Sequence, residues 1–219
     1  AIESYRQALQ LWEDAGHAYQ QLQTRLNLSG ILIGEEGETL VRTVRQAAVE
    51  MGARFRVGVA DTLLGTRLLG RGADDEARQV LLRALSVCEE THNLRFHAYA
   101  CSGLAVLEQL AGNVAASRAQ DDAALQLCDT HGDRHLRSLI LLRRVGLSLL
   151  RGDRSAAERF LDEGSSGPAE LVVYYRRLLT HTARTPLPPV PDQPGSMWME
   201  LVVAHRMLRA LPVLSLIHI

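Results

Sequence analysis

The amino-acid sequence predicts an all-α chain, a solenoid of antiparallel helix pairs, on three observations. In Leu64-Gly65-Thr66-Arg67-Leu68, Gly65 removes a side chain where a partner helix must come close, and the residues that follow mark that partner. Ala77, Leu81, Ala84, Leu85 and Cys88 keep the i, i+4, i+7, i+8, i+11 rhythm of one helix face. A similar layout returns around Gly30, Gly103 and Gly146, a self-similarity of 35 to 43 residues, and repetition at such a period signals stacked helical units. The composition agrees: 47% hydrophobic but only 5% aromatic residues suits close helix packing built on Ala and Leu.

Each element follows from its own residues. A first helix over 1–14 stops at Gly16, and a second over 17–33 ends at Gly34. The pair closes with 38–51, which Gly52 terminates; 53–69 follows, and Asp74 is expected as the N-cap of a helix over 75–90. The next pair, 94–110 and 114–129, is bounded by Gly112 and Gly132, and 134–150 with 155–162 forms another. Ser155 and Glu158 have capping-box spacing, and Pro168 sits where the first turn of a helix over 168–182 tolerates a missing N–H. A repeat region over 1–183 is therefore expected. Because Ala1, Tyr5 and Ala8 match the pattern of Ala77, Leu81 and Ala84, it is expected to begin in mid-repeat. Residues 184–196 read as a linker, with five of the seven prolines between 185 and 195. A terminal amphipathic helix is expected over 197–212, and the apolar, aperiodic 213–219 reads as a non-native tail.

Charge and cysteine use narrow the function classes. A formal net charge of −1 provides no field to draw in nucleic acid or an anionic membrane, so direct nucleic-acid binding by this segment is not expected. All 24 basic residues are arginine. Three cysteines without CxxC spacing make no disulfide framework and fit a reducing compartment, and no apolar run approaches about 18 residues. A cytoplasmic location and no membrane span are expected.

Laid against the tetratricopeptide pattern, Leu64, Gly65, Leu68, Ala77, Leu81 and Ala84 fall on its small and large consensus positions at its own spacing. Around Gly103, Ala116 and Ala123 come one residue late and Gln120 stands where a large apolar residue is usual; around Gly146, Ala157 and Leu161 come one early. Around Gly30, the second-helix residues Leu40, Val44 and Ala47 come two early. The phrase Leu-Leu-Arg-Gly-Asp-Arg-Ser-Ala-Ala-Glu-Arg and the long repeats resemble the degenerate tetratricopeptide-like region of bacterial transcriptional activators of the MalT-like and antibiotic-regulatory types. The resemblance implies a right-handed superhelix that senses an inducer or docks a partner, downstream of switch and DNA-binding domains in the parent chain. A stand-alone peptide-binding adaptor is the alternative, and a helical enzyme domain a weaker one.

Chemistry-bearing motifs are sparse. His131 and His135, like His97 and Cys101, have i, i+4 spacing that could hold a metal, but Gly132 stands where HExxH needs its glutamate, and no metal or other cofactor is assigned. Thr91-His92 and Thr130-His131 read as equivalent inter-repeat turns, and Cys88 and Cys128 as buried small hydrophobes. No GxxxxGK or GxSxG occurs, and no catalytic residue is assigned. The ligand-facing positions that the resemblance implies are Thr24, Asn27, Thr62, Thr66, His97, Arg143 and Arg151, a mixed polar groove for a protein or peptide partner or a small inducer. Apolar faces at the ends of such a row favour self-association.

Overall fold

A computed structural model describes residues 1–32 and 34–180. The described residues form ten helices and no strand: α1 (Ile2–Asp14), α2 (Ala18–Ile31), α3 (Gly34–Glu50), α4 (Arg54–Arg71), α5 (Asp74–Glu90), α6 (Leu94–Leu110), α7 (Val114–His131), α8 (Arg134–Leu150), α9 (Arg154–Glu163) and α10 (Ala169–Thr180). The fold class is all-α. The linker, terminal helix and tail expected from 184 onward lie outside the described residues.

One backbone device sets the spacing. Gly52, Gly72, His92, Gly112, Gly132 and Gly152 all take positive φ, at intervals of 20 residues. A left-handed residue just past a helix end lets the chain reverse while the last carbonyls find donors; Ala73 N donates to Leu68 O at 2.9 Å, and Asn93 N to Cys88 O at 2.8 Å. One helix with its turn takes 20 residues, so a pair takes 40. At that interval His92 is the counterpart of Gly132, not of His131, which corrects the expected pairing of the two Thr-His turns.

Several boundaries differ from expectation. α3 begins at Gly34 and not at residue 38, with Glu35 and Glu36 in its first turn, where carboxylates favour the helix dipole. Gly37 is there for space: a Cβ on it would stand 2.6 Å from Arg67 Nη1. Arg67 of α4 reaches over Gly37 to donate to the carbonyls of Ser29 and Leu32, closing the end of α2 with a cation. α5 starts at Asp74 itself, its N-cap being Ala73, so Asp74 adds first-turn charge and not a cap. At α9 the cap is Asp153, which accepts from Ala156 N at 3.0 Å; Ser155 lies inside the helix, and Glu158 pairs with Arg154.

Packing follows sequence order. Each helix from α1 to α9 packs on the next, and α2 with α4, α4 with α6 and α8 with α10 make lateral contacts. The largest apolar cluster runs from α2 to α6 and includes Leu22, Val44, Leu64, Leu68, Ala77, Leu81, Ala84 and Leu104. Leu81 projects from α5 between Gly65 of α4 and Gly103 of α6. Gly103 thus faces back onto the preceding second helix, where the repeat layout predicted a forward contact. Gly146 receives Tyr175 of α10, whereas nothing lies within 4 Å of a Cβ built on Gly30, so the expected close approach is missing there.

The apolar core is interrupted at one position of α7. The 40-residue interval places Val41, Leu81, Asp121 and Leu161 at equivalent positions, and all four are buried, so a carboxylate occupies one core site. Asp121 accepts from Arg143 of α8, which also donates to Ser102 Oγ at 3.2 Å, and from Arg144 at 3.5 Å. α7 and α8 pack less closely than the other consecutive pairs between α1 and α9. Two smaller clusters complete the core, one joining α6, α7 and α8 around Cys101, Ala124, Cys128 and Ile140, the other joining α8, α9 and α10 around Leu142, Val145, Leu161 and Tyr175.

Candidate functional site

The first helices of successive pairs, α2, α4 and α6, lie side by side, and a groove of about 670 Å³ crosses them. Leu26 and Asn27 of α2, Phe55, Arg56 and Val59 of α4, and Asn93, Arg95 and Phe96 at the start of α6 line it, with Tyr5 at one end and His131 at the other. Phe55 is 42% exposed, a large apolar ring left in water. The Arg56 guanidinium sits 4.9 Å from the centroid of the Tyr19 ring and 5.5 Å from that of Phe55. Such stacking holds the cation without neutralising it.

The electrostatics of the groove are one-sided. No carboxylate lines it among the described residues, and Arg95 is paired outward with Asp133 at 3.3 Å. Asn93 is 5% exposed; its Oδ1 accepts from Phe96 N at 3.4 Å to cap α6, while its Nδ2 has no acceptor among the described residues. Arg56 Nε is likewise buried without an acceptor. A buried donor without a partner costs about 1–3 kcal/mol, and both of these lie beneath the groove's surface, which itself presents the Phe55 ring and a stacked Arg56 guanidinium with no carboxylate beside them among the described residues.

The seven residues expected to face a ligand are not brought together. Asn27 is exposed and lines the groove. Thr62 and Thr66 are buried and return their hydroxyls to their own helix, Thr62 Oγ1 donating to Gly58 O at 2.8 Å and Thr66 Oγ1 to Thr62 O at 3.0 Å. Thr24 is buried in α2. His97 is half-buried, and burial pushes its imidazole below the usual range, with Glu89 opposing. Arg143 is 7% exposed and engaged with Asp121 and Ser102 inside the protein. Arg151 is exposed and lines a separate cleft between α7, α8 and α9.

Phe55, Arg56, Asn93 and Phe96 escaped the sequence reading, although a signal existed. Phe55-Arg56 and Arg95-Phe96 stand 40 residues apart at the openings of two first helices, the same two residue types in reversed order. Cys88 and Cys101 are free and buried, and burial raises both thiols to about 11, which makes them poor nucleophiles. Among the described residues no helix is long and apolar enough to cross a membrane. No protein-family model matches the chain, and comparison with curated proteins finds no match.

Proposed function

We propose that this chain is a tetratricopeptide-like right-handed solenoid of antiparallel helix pairs that binds a partner and does not catalyse. In this reading the groove across α2, α4 and α6 is the inner face of the superhelix. The 20-residue spacing of left-handed turns and the lateral contacts between alternate helices support it. The occupant is an extended peptide that presents an apolar side chain beside a carboxylate or backbone carbonyl. The groove's lining carries this reading: no carboxylate lines it among the described residues, the Arg56 guanidinium is held on aromatic rings, and Phe55 and Phe96 offer an apolar seat. By its resemblance to bacterial activators the segment is the regulatory, cytoplasmic part of a transcriptional regulator, signalling to switch and DNA-binding domains elsewhere in the parent chain.

Panning a random peptide library against the chain tests this. Enriched peptides should carry an acidic residue next to an aromatic or aliphatic one, and Phe55→Ala should weaken their binding at least about tenfold. Peptides whose binding survives both Phe55→Ala and Asn27→Ala would move the partner to another surface. A second reading, a small inducer in the same groove, is favoured by the groove volume, which lies within the range of small-molecule sites. Failure of any peptide to enrich would favour it.

A further inference from the structure

We propose that the cleft between α7, α8 and α9 is a binding site for a phosphate group carried by a small molecule. This site is separate from the groove across α2, α4 and α6 and does not depend on the reading of that groove. Its volume is about 260 Å³, and four guanidinium groups line it, those of Arg118, Arg144, Arg151 and Arg159. Arg144 is committed to Asp121 and Asp122, the latter at 2.6 Å. Arg118, Arg151 and Arg159 have no carboxylate within ion-pair distance among the described residues; Arg159 instead lies 5.0 Å from the Phe160 ring centroid. With Arg143 and Arg144 balancing Asp121 and Asp122, three cations face one carboxylate, Asp153, whose Oδ1 already caps α9.

Like charges gathered in one cleft repel, and a dianion placed among them removes that repulsion while accepting hydrogen bonds in the fork geometry that guanidinium offers. The excess of two positive charges matches one phosphate, and the cleft is too small for a folded segment. The positions 80 residues earlier, on α3, α4 and α5, show that the feature is not a by-product of the architecture: there Arg71, the counterpart of Arg151, pairs with Glu38, the counterpart of Arg118, at 3.3 Å, and Gln79 stands in the place of Arg159. A second cleft, at the other end of α3, α4 and α5, has Arg45 paired with Asp61 and Arg54 with Glu90, leaving Arg83 as its one arginine without a described carboxylate partner. The phosphate cleft also adjoins the Asp121–Arg143 pair that interrupts the apolar core, so an anion bound there would brace the joint between α7 and α8.

Isothermal titration calorimetry of the chain with inorganic phosphate, at constant ionic strength maintained with chloride, tests the site. Saturable one-site binding is expected, with Arg151→Gln and Arg159→Gln each weakening it at least tenfold. Arg83→Gln, in the cleft at the other end of α3, α4 and α5, should leave it unchanged. All three side chains are exposed, and circular dichroism on each variant verifies the fold. Absence of saturable phosphate binding, equal loss in Arg83→Gln, or preference for succinate over phosphate would overturn the proposal.

Discussion

Leu81 fills the space that Gly65 leaves empty. A Cβ on Gly65 would stand 2.6 Å from Leu81 Cγ and 2.7 Å from its Cδ2, and the other side of Leu81 already packs against Gly103, where an added Cβ would stand 2.9 Å from its Cδ1. Leu81 is fully buried. Gly65→Ala should therefore destabilise the chain by about 1–3 kcal/mol through overpacking, even though alanine favours helix. Leu81→Ala should cost about 2–5 kcal/mol alone. In the double variant the new methyl enters the vacated volume, so urea denaturation should return less than the sum of the two losses. Strict additivity would mean that the two residues do not share this space.

Asp121 and Arg143 are both buried at the α7–α8 joint, and removing Asp121 leaves the buried Arg143 guanidinium with Ser102 as its only described hydrogen-bond partner. Asp121→Ala should cost about 3–5 kcal/mol. Replacing both, as Asp121→Leu with Arg143→Met, should recover most of that loss, because Leu is what the equivalent position 81 already carries. A double variant as unstable as Asp121→Ala would show that the joint needs the charges themselves.

His92 adopts φ 53° where the other five turns of the 20-residue series use glycine. Left-handed backbone costs a residue with a Cβ about 1–2 kcal/mol, and part of that gain is offset by the greater freedom of glycine in the unfolded chain. His92 is exposed, so little packing is lost. His92→Gly should raise stability by about 0.5–1 kcal/mol, seen as a higher thermal midpoint in circular dichroism. A lower midpoint would assign the imidazole a contact that outweighs the backbone strain.

Burial pushes the imidazoles of His97 and His135 below their ordinary value; Glu89 opposes this at His97, and at His135 Asp133 opposes it while Arg95 adds to it. The unfolded chain therefore binds protons first. The contribution of these groups to stability is complete above about pH 6.5, the ordinary histidine value, and falls as the pH drops below it. Glu90 and Glu108, held low chiefly by Arg54 and Arg78, add their own loss only below the usual glutamate range near pH 4.3. The thermal midpoint should thus decline between pH 7.5 and 5.5, and a His97→Gln, His135→Gln variant should flatten that slope. An unchanged slope would place its origin in other groups.

The sequence by itself determined most of the helices and the face that α5 buries. Periodicity and glycine punctuation are local, so the bounds of α6 and α8 and the burial of Ala77, Leu81, Ala84 and Cys88 follow from residues near in the chain. What only the tertiary structure decided was the orientation of polar residues on the first helices. These are flanked on both sides, and each residue turns the helix by about 100°, so an error of one position exchanges groove for core. Thr62, Thr66 and Arg143 fell inward in this way, whereas Phe55 and Arg56 emerged in the groove. The partnership of Asp121 with Arg143 belongs to the same class. Either residue alone reads as a solvated charge, and only the packing of α7 on α8 brings them together in the interior, where each makes the other's burial possible.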